Sequence, residues 1–76
     1  MAATVYELAS DERPAGTTRE WINVKQVVAV FVFFDDTNWR CILIVHEIGQ
    51  LSASFATQAA AEARAALWVQ RIEDAK

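Results

Sequence analysis

Cys41 and His46 are the only cysteine and the only histidine in the chain. Together they would make the one thiol–imidazole couple these residue types allow, in which a histidine within hydrogen-bond reach takes the proton of a cysteine nucleophile. Their spacing works against it. Side chains alternate across a strand, so an odd separation sends 41 and 46 to opposite faces. They read instead as a buried thiol and a strand histidine. One cysteine and one histidine also fall short of the four or so ligands of a zinc site. Asp35 and Asp36 are adjacent in a turn, without the spaced oxygen donors of a calcium loop. Ser10, Ser52 and Ser54 sit in no nucleophile motif. Gly16 and Gly49 are isolated, so there is no glycine-rich phosphate loop. The expectation is a protein that is not an enzyme and holds no cofactor and no metal.

Phe31, Phe33 and Phe34 resemble the stacking aromatics of an RNA-binding sheet, but only Arg40 lies near them. Such a surface needs basic residues to displace counterions. The net charge is −3 and the pI about 4.9, so no direct nucleic-acid contact is expected. The phenylalanines read as core and interface packing.

At 76 residues the chain is one domain, 1–76,. A domain this small buries only about 60% of the surface its unfolded chain exposes. With 54% hydrophobic residues, a partner that buried more would matter. One cysteine excludes an internal disulfide and suits a reducing compartment, so a cytoplasmic location is expected. The N-terminal run lacks the pattern of a signal peptide. No stretch has the ~18 apolar residues of a membrane helix, so no membrane partner is expected.

The elements follow from pattern. Residues 1–19 hold a short strand, Thr4 to Ala9, and a loop with the only proline, Pro14. Residues 20–56 read as antiparallel strands: Glu20 to Val24, Val27 to Phe34, Trp39 to Ile48 and Leu51 to Ala56, with Lys25-Gln26 a bend. Asp35 to Asn38 is a turn cluster, and Gly49-Gln50 suits a two-residue hairpin loop. Residues 57–75 form a helix, with Thr57 as N-cap and a glycine-free run rich in Ala, Glu, Gln and Arg. Ala61, Ala65, Trp68, Val69 and Ile72 share its apolar stripe. Arg64, Leu67, Arg71 and Asp74 lie off it. The fold class is α+β: an antiparallel sheet of four to five strands with one C-terminal helix packed on one face.

Pairing then assigns faces. A two- or four-residue turn at Asp35–Asn38 sets Phe33 opposite Arg40, Phe31 opposite Ile42 and Ala29 opposite Ile44. A Gly49-Gln50 loop sets Ile48 opposite Leu51, His46 opposite Ala53 and Ile44 opposite Phe55. The helix should cover the face with Phe31, Phe33, Ile42, Ile44 and Phe55. The opposite face, with Val28, Val30, Val32, Phe34, Trp39, Cys41, Leu43 and Val45, is also apolar, and one helix cannot cover both. An uncovered face of that kind exceeds what a soluble monomer usually shows. Its cover is either the N-terminal segment, with Val5, Tyr6, Leu8, Trp21 and Ile22, or another chain.

The expected function is therefore that of a small non-enzymatic protein-binding protein, whose partner is a target protein or a second copy. Val28, Val30, Val32, Phe34, Trp39 and Leu43 are its candidate apolar contacts. In size and acidity the chain is similar to phage-encoded inhibitors, anti-CRISPR proteins among them, that block a site on a larger host complex. That similarity implies acidic contacts, Asp11, Glu12, Glu20, Asp35 and Asp36, whose carboxylates compete with phosphates for a basic channel. The alternative is a small homodimeric bacterial domain with a structural or regulatory role.

Overall fold

The computed structural model describes residues 3–76; the first two positions of the expected 1–19 segment lie outside it. Strands β1 (Val5–Glu7) and β2 (Trp21–Asn23) pair antiparallel as a small N-terminal arm. A short 3₁₀ turn, Val24–Gln26, leads into β3 (Val27–Phe34), β4 (Trp39–Val45) and β5 (Gly49–Phe55). These form a separate three-stranded sheet in the order β3-β4-β5. Helix α1 (Gln58–Asp74) follows. The α+β class is as expected, but the five strands are divided between two antiparallel sheets rather than joined in one. The division falls at the 3₁₀ turn. Asn23, the last residue of β2, caps the turn: its side chain accepts the Lys25 N–H at 2.9 Å. Val24 is buried there, which anchors the change of direction.

Local chemistry accounts for the other ends. Thr57 caps α1, its hydroxyl accepting the Ala60 N–H at 3.2 Å, which satisfies a donor the first turn would leave free. The β3–β4 turn is held by Asp35, whose Oδ1 accepts the N–H groups of Thr37 and Asn38 at 3.0 and 2.7 Å. Asp36 takes φ 76°, a conformation aspartate tolerates better than most residues. The register is the expected one, Phe33 with Arg40, Phe31 with Ile42 and Ala29 with Ile44, with a bulge between Val27 and Ala29.

The β4–β5 register is not the expected one. The chain turns at His46–Ile48, where the Ile48 N–H donates to the Val45 carbonyl at 3.2 Å, so β4 ends at Val45 rather than Ile48. Glu47 adopts φ 70° and Gly49 φ 103°, the left-handed region where glycine carries no Cβ penalty. Leu51 therefore pairs with Leu43, Ala53 with Cys41 and Phe55 with Trp39. The displacement is by an odd number of residues, which moves every β5 side chain to the other face.

That single change reverses the faces. Leu51 and Ala53 join Leu43 and Val45 on the side that α1 covers, and the core forms there from Leu8, Ile22, Val24, Leu43, Val45, Leu51 and Trp68. The arm contributes Leu8 and Ile22 to the same core, so arm and helix lie over one face together. The face expected to lack the helix is the one it covers, and the N-terminal segment, one of the two covers expected for that face, lies over it as well. Ala29, Phe31, Phe33, Arg40 and Ile44 lie on the face without a layer over it. Ile42 on that face is nevertheless fully buried; it sits in the central strand, paired with Phe31 on one side and Ser52 on the other.

The buried stripe of the helix is displaced toward Arg64 and Arg71. Ala61 and Trp68 are buried as expected, while Val69 is exposed. Arg64 and Arg71, expected off the stripe, are half-buried. The arm lies on their side of α1. Arg71 stacks over the rings of Tyr6 and Trp68 at 4.5 and 4.7 Å, and Tyr6 meets Trp68 edge to face at 6.4 Å. Such contacts favour a cation over an aromatic face.

Candidate functional site

The residues with chemical potential are kept apart. Cys41 is buried in the sheet beneath α1. Burial pushes its thiol pKa up, and the Glu12 carboxylate adds to the rise, the opposite of what an activated thiolate needs. His46 is not a strand histidine; it sits in the β4–β5 turn with its side chain mostly exposed, 3.9 Å from Glu47. Among the described residues no three His, Cys, Asp or Glu side chains gather as a metal site. No helix of the described residues is long and apolar enough to cross a membrane.

Most of the acidic candidates have internal tasks. Glu12 is only 5% exposed. Its Oε1 accepts the Ala9 N–H at 2.8 Å and its Oε2 accepts the Trp68 indole N–H at 2.6 Å. Arg64 Nη1 lies 3.1 Å from that same Oε2 and 2.9 Å from Asp11 Oδ1. A buried carboxylate requires such partners. Glu12 thus latches the loop after β1 to the middle of α1. Asp35 holds its turn and pairs with Arg40 at 2.5 Å. The Asn38 and Thr37 N–H groups and the Arg40 guanidinium hold its pKa down to about 2. Glu20 is half-buried, and Asp36 is exposed.

The apolar candidates divide by the reversed face. Leu43 is buried in the core, and Val30, Val32 and Trp39 are half-buried on the covered side, so these four do not form an open face. Val28 and Phe34 are exposed, at 68% and 49%, at the two ends of β3. Phe31 and Phe33, assigned from sequence to the covered face, are 44% and 40% exposed.

What unites Val28, Phe31, Phe33 and Phe34 is the strand they share. β3 is an edge strand with β4 as its neighbour on one side. It reads VVAVFVFF, with no charge and no proline along it. Protected edges normally carry lysine, proline or a central bulge; here the bulge lies only at the start. The other edge, β5, reads GQLSASF and is short of large side chains.

Hydrogen-bond alternation shows what the β3 edge presents. The Asp35 N–H donates to the Asn38 carbonyl at 3.0 Å, which makes that pair hydrogen-bonded. In an antiparallel ladder such pairs alternate with non-bonded ones. Phe33, Phe31 and Ala29 therefore direct their backbone groups to β4, and Val30, Val32 and Phe34 direct theirs outward.

Beside this edge runs a groove. It encloses about 250 Å³, lies between β3 and α1 and is lined by Val27, Val28, Ala29, Val30, Val69 and Ile72. A second hollow, about 240 Å³, shares Val27 and Ile72 with it and is lined also by Val24, Lys25, Ala75 and Lys76 at the helix end. An unpaired strand edge flanked by an apolar groove under a helix is the geometry that takes an extended peptide by strand addition. Sequence reasoning placed Val69 on the helix stripe and allowed a sheet edge as a binding surface, but it did not identify β3 as the open edge or Val69 as part of the groove beside it. The available signal was that the Val27–Phe34 run is apolar at both parities, with nothing to guard it. Comparison of the chain with protein-family models and curated proteins, and of its fold with solved structures, finds no match.

Proposed function

We propose that this protein is a non-enzymatic protein-binding module that holds an extended segment of its partner by strand addition along β3. The observation that carries the reading is the unguarded β3 edge, where Val30, Val32 and Phe34 turn their backbone groups outward and an apolar groove runs along the first half of the strand, Val27 to Val30. Main-chain hydrogen bonds would supply affinity, and the groove would select an apolar side chain at alternate positions. An inhibitory role would use the same edge. Action through carboxylates that compete with phosphates has less support, because Glu12 and Asp35 are committed to internal hydrogen bonds.

Selection of short random peptides on the immobilised protein tests the reading. Apolar peptides whose binding perturbs the amides of Val30, Val32 and Phe34, and is lost in Val32→Pro, are expected. Proline at 32 removes an outward donor and leaves the β3–β4 ladder, a position where edge strands tolerate it. Binders that map to another surface and ignore Val32→Pro would overturn it.

A further inference from the structure

We infer that the segment added to β3 is β3 of a second copy, paired antiparallel about a two-fold axis centred on Phe31; this rests on the strand-addition reading above. An isologous interface needs a surface complementary to itself, and β3 meets that requirement in three respects. It carries no charge, so two copies meet without like-charge repulsion.

Its outward backbone groups match in register. With Phe31 on the axis, Val30 of one copy exchanges both hydrogen bonds with Val32 of the other, and Val32 with Val30. Both residues direct their backbone groups outward, and Phe31 of each copy falls at a non-bonded position, where side chains approach most closely. On the uncovered face Ala29 then lies opposite Phe33, a small side chain beside a large one.

The third respect is a knob and a hole at opposite ends of the same edge. Phe34 lies on the helix side, its ring 5.2 Å from that of Trp39, and is about half exposed. The two-fold sets it opposite Val28 of the other copy, at the groove between β3 and Val69. Each copy would seat its Phe34 in the groove of the other. The edge, its phenylalanines and the groove together bury on the order of 1,000 Å² over both copies, at the low end for a specific interface. The dimer is therefore expected to dissociate on dilution.

Sedimentation equilibrium from micromolar to millimolar concentration tests this, with wild type, Val32→Pro, Phe31→Lys and Phe31→Glu, each checked for native circular dichroism. Wild type is expected to dimerise, and Val32→Pro to weaken the dimer roughly a hundredfold, since the two-fold repeats each lost bond. Phe31→Lys and Phe31→Glu are each expected to be monomeric alone and to form a heterodimer when mixed, because the register sets position 31 against itself. That mixing result holds the inference open to test even if Val32→Pro does not fold. A wild type that stays monomeric throughout, or a dimer indifferent to the charges at 31, overturns the second copy as occupant. Peptide selection on the monomer then decides separately whether the edge takes another strand.

Discussion

The two flanks of α1 differ in how completely they are satisfied. On one flank the N-terminal arm is docked. Trp68 is fully buried, its indole N–H held by Glu12, while Arg64 pairs with Asp11 and Glu12 and Arg71 stacks on Tyr6. On the other flank Val69 and Ile72 face β3 across a groove that no described segment fills. The same helix thus has one flank closed by its own chain and one left open beside a free strand edge. A 76-residue domain has a thin core,, and it spends its one covering helix and its arm on the same side of the sheet. The open flank is where a partner gains most.

The largest effect that would break this comparison lies on the closed flank. Trp68→Ala should destabilise the fold by about 3–5 kcal/mol, since it opens a cavity under both arm and helix. Chemical denaturation measures it, and a loss under about 1 kcal/mol would mean the arm is not part of the core. Glu12→Ala should follow, at about 2–4 kcal/mol, because it leaves the Trp68 indole N–H and the Arg64 guanidinium without their buried acceptor. Val69→Ala sharpens the contrast from the open flank. Its stability should stay within about 0.5 kcal/mol of wild type while dimerisation or peptide capture weakens; a stability loss like that of Trp68→Ala would show that Val69 is core.

The smallest effect concerns the turn that ends the edge. The folded-state pKa of Asp35 is lowered, chiefly by the Asn38 N–H and then by Arg40. Its contribution is therefore present above the ordinary carboxylate value, near 4, and lost as pH falls toward about 2,. The melting temperature should drop across that window, and Asp35→Asn should flatten the drop. An unchanged slope in the variant would assign the acid sensitivity to other carboxylates.

Where local chemistry decides, the residues were legible. Thr57 and the glycine-free run after it mark α1, and Asp35–Asn38 marks a turn that sets the β3–β4 register correctly. The β4–β5 turn was not legible, because Glu47 enters the left-handed region without the glycine or asparagine that signals it,. Gly49 drew the turn forward, and an odd displacement sufficed to exchange the faces. Glu12 was misread for a different reason. In its own neighbourhood it looks like a solvated loop residue, and its partner Trp68 lies 56 positions away. Arg64 and Arg71 likewise look solvent-facing until the arm is placed on them. The candidate site was half visible: the apolar run of β3 could be read, but that it forms an edge depends on sheet order, which no local pattern encodes.

Amide hydrogen exchange followed by NMR across a range of protein concentrations tests the central claim most directly. The Val30, Val32 and Phe34 amides should exchange fast in dilute solution and become protected as concentration rises, while Phe31 and Phe33, bonded to β4, stay protected throughout. Outward amides that remain unprotected at every concentration, with new protection arising on β5 or α1 instead, would contradict docking at the β3 edge.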